Sequence, residues 1–581
     1  MNPFFNPGRA ITTLLLVSSL ALVASPEVRA QAPAWQMAVA ASGAASYVEA
    51  MAADASGSMY LVGEFQGTAT FGTQALTSLG ATDVFIAKWR NGSFVWAQRA
   101  GGSGNDLATS VAVSGTAVYV AGIFDSSTAG FGATVLANAG PAGTTDMFVA
   151  KLVDAGATAS LTWVQRVGGI GNDNARALAT AGTSVYVAGD YDSASLAVGT
   201  VTLPNAGSFQ DVVVAKLVDA GPTASFAWAV RAGGVAGDLP WALAVRGADV
   251  FVGGAYFSPT ADFGAVTLPK DGGVNPNSFV AKLRDAGSSA SWQWAVGAGS
   301  AAAEDIRALA VSGSNVYVAG MFYGPTYTLG TTTLANAGGT NNTADGYVAK
   351  LTDLGASASY TWASQLGGPA YDSPQALAVQ GSAVYATGTF FSAAATFGAT
   401  TLANANASAT TGDVFVAQLT DAGTTGGMVW AQRAGGPGTD VAPGLALSGT
   451  QVYVGGTVIP AASFGSYPLV TPVGGQVAYL ASLTDATALA APAAQPLANA
   501  LVLAPNPAHS TTFVQLPAGL GASPATLTLL DALGRVVRTR TVALPAGTTT
   551  TDLDVAGLAP GVYALRVASG ERLGTARLVV E

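Results

Sequence analysis

The sequence predicts an all-β protein, a seven-bladed β-propeller with four strands per blade followed by a small Ig-like β-sandwich. Three observations predict it. A tryptophan in a W-A-x-x type context recurs at Trp35, Trp96, Trp163, Trp228, Trp294, Trp362 and Trp430, at spacings of 61 to 68 residues. Each unit contains four short runs rich in Val, Tyr, Phe and Trp, each bounded by turn residues, which is the strand signature and not the helical period. Beyond residue 497 the repeat stops, and about 80 residues of alternating strand patterns joined by turns follow.

Within a unit the elements come in a fixed order. The Trp strand ends in a Gly-rich turn such as Gly101-Gly102, Gly168-Gly169, Gly367-Gly368 or Gly435-Gly436. An apolar LALAV-like run is next, then VYVAG at 118–122, 185–189 and 316–320 or VYVGG at 452–456. A longer polar loop leads to the closing run, DVFIAKW (83–89), DMFVAKL (146–152), DVVVAKL (211–217) or DVFVAQL (413–419). Four strands repeated seven times read as a propeller. The chain enters at 35–40 and leaves the repeats after 477–483. The last blade therefore lacks an outer strand, and the N-terminal strand is expected to supply it, removing two sheet edges. An outer-membrane barrel is the competing β architecture, but its strands alternate apolar and polar, whereas these runs are apolar on both faces.

Composition sets the exclusions. The chain has 581 residues, net charge -10, 50% hydrophobic and only 10% charged residues, enough apolar content for a large core. Gly and Pro together stay near 17%, below the roughly 25–30% of low-complexity disorder. There is no cysteine, and His509 is the single histidine. Thiol chemistry, disulfides, histidine triads and two-histidine metal sites are therefore excluded. The only long apolar run, 11–24, follows Arg9 and precedes Val28-Arg29-Ala30. It is too short to span a bilayer and reads as a secretory signal, residues 1–30, cut after Ala30. No membrane span is expected in the mature chain.

The units at 31–485 resemble the bacterial β-propeller repeat family of the SBBP type, whose pattern combines a GG-x-x-x-D turn, VYV-x-G and D-x-F-V-A-K-L. After an Ala/Pro-rich linker at 486–497, residues 498–581 resemble the type A C-terminal sorting domain of the type IX secretion system of Bacteroidetes. The matching positions are Pro505-Asn506-Pro507, the Leu530-Asp531 to Gly534-Arg535 turn, and Gly561-Val562-Tyr563 leading into Leu565-Arg566-Val567. This resemblance implies export through the type IX translocon to the outer surface of a Gram-negative bacterium, often with removal of the domain and attachment to lipopolysaccharide.

The remaining sequence signals concern sites. Residues 31–496 hold 15 basic against 27 acidic residues, so an acidic face is expected, and nucleic acid is not a partner. The recurrent tryptophans are expected between blades. The turn before each inner strand carries Asp106, Asp173, Asp238, Asp305, Asp372 or Asp440, with Ser46 in the first unit, and each acid is read as accepting backbone N–H groups in its own turn. The same holds for Asp83, Asp146, Asp211, Asp345 and Asp413. Asp190-Tyr191-Asp192-Ser193 falls short of a calcium loop. Glu49, Glu64 and Glu304-Asp305 are the non-repeating acids available to a glycosidase. The units differ most at Glu49, Thr109, Arg176, Trp241, Arg307, Gln375 and Pro443, two residues before the central apolar residue of each inner strand. These seven are expected at one mouth of the central channel, beside the Asn/Thr-rich loops 137–146, 335–345 and 403–413, as a ring able to hold a sugar or a peptide. No cofactor is expected, and a monomer is. The expected role is a non-enzymatic surface binding or adhesion module, with a glycoside-cleaving enzyme or a passive structural protein as alternatives. The ligand itself is not legible.

Overall fold

The computed structural model describes residues 32–271, 273–339, 342–470, 475–485, 495–496, 501–516, 525–531, 536–542, 549–569 and 572–581. The expected signal at 1–30, most of the linker, and Gly534 and Arg535 lie outside the described residues. Every regular element described is a β-strand.

Seven antiparallel four-stranded units follow one another. In the first six, strand order in the sheet equals order in the chain, from an inner strand outward. Inner strands run Ser46–Ala53, Asp106–Ser114, Asp173–Ala181, Asp238–Arg246, Glu304–Ser312, Asp372–Gln380 and Val441–Ser448. Each packs on the next, and the seventh packs back on the first, so the arrangement is cyclic and propeller-like. The second and third strands are buried on both faces, which explains their continuously apolar runs. In the seventh unit the outermost strand is Trp35–Ala40, paired antiparallel with Val477–Thr484 from Trp35↔Leu483 to Ala40↔Tyr479. The ring is closed by joining its two ends in one sheet, which leaves no free edge there.

Two features were not legible beforehand. The polar loop between second and third strands contains a short hairpin, for example Thr128–Phe131 with Thr134–Ala137. That hairpin pairs with the end of the preceding unit's outer strand, Ala129↔Gly102 and Gly130↔Gly101, so neighbours are stapled by backbone as well as by packing. Every inner strand also contains a β-bulge, seen as a register shift near its start.

The Gly-Gly turn has a steric cause. A Cβ on Gly101 (φ +137°) would lie 2.6 Å from Asp83 Oδ1 and 2.7 Å from Asp106 Oδ2, and one on Gly102 would lie 2.2 Å from the Thr128 carbonyl. Two carboxylates and a neighbouring hairpin converge there, so neither position has room for a side chain.

At the opposite end of the units lies a repeated polar hub. Lys88 Nζ, Tyr60 Oη and Trp96 Nε1 of the first unit all donate to Asp154 of the second. Lys151, Tyr119 and Trp163 do the same to Asp219, and Lys350, Tyr317 and Trp362 to Asp421. The tryptophans are therefore inter-unit elements, as expected, and they are also donors. Burial works against the Asp154 carboxylate, but these hydrogen bonds outweigh it and hold it below its ordinary range.

The expected acidic face is not found. Of the 27 acidic residues in 31–496, 17 are buried, most of them in these hubs and in the turns. The negative charge is largely internal, so it gives no basis for repelling nucleic-acid phosphates.

The C-terminal region is built from two sheets. One runs Gln495–Pro496, Arg572–Val580, Gly561–Ser569, Ala525–Leu530, Val536–Val542, and the other Val502–Ala504, Thr511–Leu516, Thr549–Asp554. They share a core of Val514, Leu527, Leu529, Leu553, Leu565 and Leu578.

Candidate ligand site at the channel mouth

The residues singled out at the inner strands share one structural property: they are the bulged positions. Ladder partners skip Glu49, Thr109, Arg176, Trp241, Arg307 and Gln375, while the seventh unit skips both Ala442 and Pro443. A bulge places two residues against one on the partner strand and re-aims the extra side chain. Positions one and three of the third to fifth inner strands are buried and positions two and four are half-buried, so this set lies on the more open side of those strands. The mouth is also where the long loops end. Asp173, Asp372 and Asp440 each donate their backbone N–H to a carbonyl at the end of such a loop, Thr145, Ala344 and Gly412, which puts loops and ring on one face.

The seven positions do not form a uniform ring. Units three to five form one continuous cluster. The Arg176 guanidinium carbon lies 4.5 Å from the Trp241 ring centroid and that of Arg307 lies 4.8 Å from it. One indole is thus packed between guanidinium groups from both neighbouring units, each contact worth about 0.5–2 kcal/mol. Arg176 Nε donates to Asp190 Oδ1 at 2.5 Å and Arg307 Nε to Asp305 Oδ2 at 2.7 Å. Each guanidinium is anchored through Nε, leaving its outer Nη edge as a charged planar donor pair.

The other positions are differently employed. Thr109 Oγ1 donates to the Ala175 carbonyl at 2.9 Å, and Gln375 Oε1 accepts from Ala442 N at 3.3 Å, so both tie adjacent inner strands. Glu49 keeps part of its side chain open to solvent, while desolvation by the surrounding protein, with repulsion from Glu64, pushes its carboxyl up to about 7. Burial also raises Glu64.

One sequence expectation is corrected. In the fifth unit the turn acid is Glu304, not Asp305. Glu304 is buried and pairs across to Phe322 as Asp106 pairs to Phe124, and Ser300 N donates to it. Asp305, one residue later, faces the mouth and holds Arg307. The turn acids otherwise behave as expected: Asp106 accepts from Gly102 N at 2.6 Å and Asp173 from Gly169 N at 2.6 Å. Asp190 and Asp192, the weak calcium signal, are taken by Arg176 with Asn174 and by Asn172. Among the described residues a cleft of about 680 Å³ lies at the far end, between units one and two, lined by Asp54, Lys88, Arg90 and Asp154. It belongs to the structural hub and not to the mouth.

In the C-terminal sandwich the motif residues hold the frame. Asn506 bridges the last strand, donating to the Arg577 carbonyl and accepting from Val579 N, both at 2.8 Å. The Pro505 carbonyl accepts from Thr512 Oγ1 at 2.8 Å, Tyr563 Oη donates to the Ala559 carbonyl at 2.7 Å, and Gly561 pairs with Val580. Asp531 lies at the end of Ala525–Leu530, next to Val562 and Arg577.

Residues 502–581 match the family model described as a secretion system C-terminal sorting domain. This domain makes the type IX secretion machinery a partner of the chain and implies delivery outside the cell or to its surface. No helix of the described residues is long and apolar enough to cross a membrane. No curated protein matches the chain significantly. Among solved structures, a glycoside hydrolase family 32 protein from Bifidobacterium adolescentis is similar at 8% identity, covering 94% of this chain and 95% of that one with a TM-score of 0.25. A likeness this low carries no argument about fold or activity.

Proposed function

We propose that this is a secreted or surface-held binding module, a seven-bladed β-propeller of the SBBP repeat type that captures an extracellular polysaccharide at its channel mouth without turning it over. Residues 1–30 serve as its signal, 498–581 form an Ig-like sandwich of the type A sorting class from a Bacteroidetes-type bacterium, and the chain acts as a monomer. A surface protein is the second candidate ligand.

The observation that carries the reading is the Arg176–Trp241–Arg307 cluster. It departs from the repeat, spans three units, lies on the more open side of its strands and keeps two charged donor edges pre-positioned. Buried frames repeat because packing demands it, whereas a pre-organised polar cluster on an open face serves recognition. The test is a polysaccharide and glycan binding array with the full chain beside Trp241→Ala and Arg307→Ala. Capture reduced about tenfold or more in both variants, with unchanged melting, supports the site. Capture unaffected by either variant, or absent altogether, overturns it.

A hydrolytic reading has one observation in its favour, the Glu49 carboxyl raised to about 7 beside Glu64, a protonation state suited to a general acid. Release of reducing sugar from a captured glycan, abolished in Glu49→Gln, would replace the binding reading with this one.

A further inference from the structure

Each of the first six units places one residue directly after its second strand, and its backbone N–H donates to the turn before the inner strand. The pairs are Gln66 to Ala45, Asp125 to Asn105, Asp192 to Asn172, Phe257 to Gly237, Tyr323 to Ala303 and Phe391 to Tyr371. The backbone positions are equivalent, so the side chains report what each unit needs there. In units two and three an aspartate closes the turn by accepting from an asparagine side chain. In units four to six that polar lock is gone. The position becomes Phe257, Tyr323 and Phe391, and the facing asparagine becomes Gly237, Ala303 or Tyr371.

Loss of the lock is not explained by packing into the core, because the rings stay at the surface. Phe257, Tyr323 and Phe391 are half-buried and Tyr371 is 36% exposed. The Tyr371 centroid lies 6.5 Å from that of Tyr323 and 5.7 Å from that of Phe391, so units five and six share one aromatic cluster. It is continuous with the mouth. Tyr323 lies close enough to Asp305 and Arg307 for both charges to act on its hydroxyl, which burial and Tyr371 push upward.

We propose that Phe257, Tyr323, Tyr371 and Phe391 form an extended subsite along the rim that holds an acidic polysaccharide chain, with the Nη edges of Arg176 and Arg307 taking its carboxylate or sulfate groups. This rests on the mouth being the binding site and adds the shape and charge of the ligand. Aromatic rings offer apolar faces to the C–H faces of pyranose rings, and a row of them across adjacent units fits a chain and not a single sugar. A guanidinium fork anchored through Nε presents two parallel donors, the geometry that an oxyanion accepts.

The experiment is calorimetric titration of the full chain with oligogalacturonides (carboxylate), carrageenan oligosaccharides (sulfate) and neutral β-glucan oligosaccharides, each from two to eight residues long. Affinity for one acidic series is expected to rise about tenfold or more with length. In Tyr323→Ala/Phe391→Ala, and in the more exposed single variant Tyr371→Ala, that gain should shrink to about twofold while the shortest oligomer binds as before. Arg307→Ala should weaken every length. No gain with length in the wild-type chain, or a gain kept in both rim variants, overturns the subsite. Equal binding of the neutral series overturns the acidic class alone. Failure of every saccharide to bind overturns the mouth reading together with this one.

Discussion

At the scale of the residue, the carboxylates of this chain divide by environment into two populations. Asp154, Asp219 and Asp421 each collect a lysine, a tyrosine and a tryptophan from the preceding unit. The lysine end is nearly as buried as the acid, with 8% of the Lys151 and 6% of the Asp219 side chain exposed. Removing one partner of such a pair strands a charge, at a cost of about 3–5 kcal/mol, whereas losing one neutral donor costs about 1 kcal/mol. Asp219→Ala should therefore lower the urea midpoint several times more than Tyr119→Phe, which keeps the phenyl ring and removes only the hydroxyl that donates to Asp219. Equal shifts in denaturation curves would mean that the buried ion pair is not what joins the units.

At the scale of the element, two devices shape the ring. The bulge in each inner strand takes its extra residues out of the ladder and re-aims them, and the borrowed strand Trp35–Ala40 completes the seventh unit. Trp35 is buried, packs edge-on against Phe464 at 5.0 Å and donates Nε1 to the Arg433 carbonyl of the sixth unit. A chain lacking residues 32–40 should expose the edge of Val477–Thr484, lose at least the roughly 3–5 kcal/mol of a buried tryptophan, and aggregate through that edge. Thermal melting with light scattering tests this. A truncated chain that melts at the wild-type temperature and stays monodisperse would show that the ring does not depend on its closure.

At the scale of the whole molecule, stability should depend on pH in an unusual direction. Burial, with backbone and Ser126 hydrogen bonds opposing, pushes Asp106 up to about 6, and Asp238 and Asp345 likewise reach about 6. Burial raises Asp173, Glu304 and Asp440 to about 7. Between about pH 4 and 7 the folded ring thus binds more protons than the unfolded chain, so this contribution is fully present below the unfolded value and is lost as pH rises through 6 to 7. The hub acids act oppositely. Lowered when folded, they stabilise above their unfolded value and stop doing so as pH falls below it. Melting temperature should peak at mildly acidic pH, about 4 to 5, and fall by several degrees toward pH 8. A melting temperature that is flat or rising from pH 5 to 8 would contradict the assignment of the turn acids as buried and neutral.

The repeat, its strand order, the closing strand and the sorting domain were legible in the sequence because each leaves a local mark. Buried strands read as Val/Tyr/Phe runs, turns as Gly pairs, and closure as one strand ahead of the first unit matching one missing from the last. The bulged positions also stood out, since Glu49, Thr109, Arg176, Trp241, Arg307 and Gln375 vary where their neighbours repeat. Only the tertiary structure decided what those positions do, because a bulge has no residue signature and contacts between units join residues roughly 65 positions apart. It brought Arg176, Trp241 and Arg307 into one cluster while binding Thr109 and Gln375 into the frame, and it put Glu304, not Asp305, in the buried turn. It also turned an excess of acid counted along the chain into internal pairs, because the location of a charge, unlike its number, is set by what packs around it.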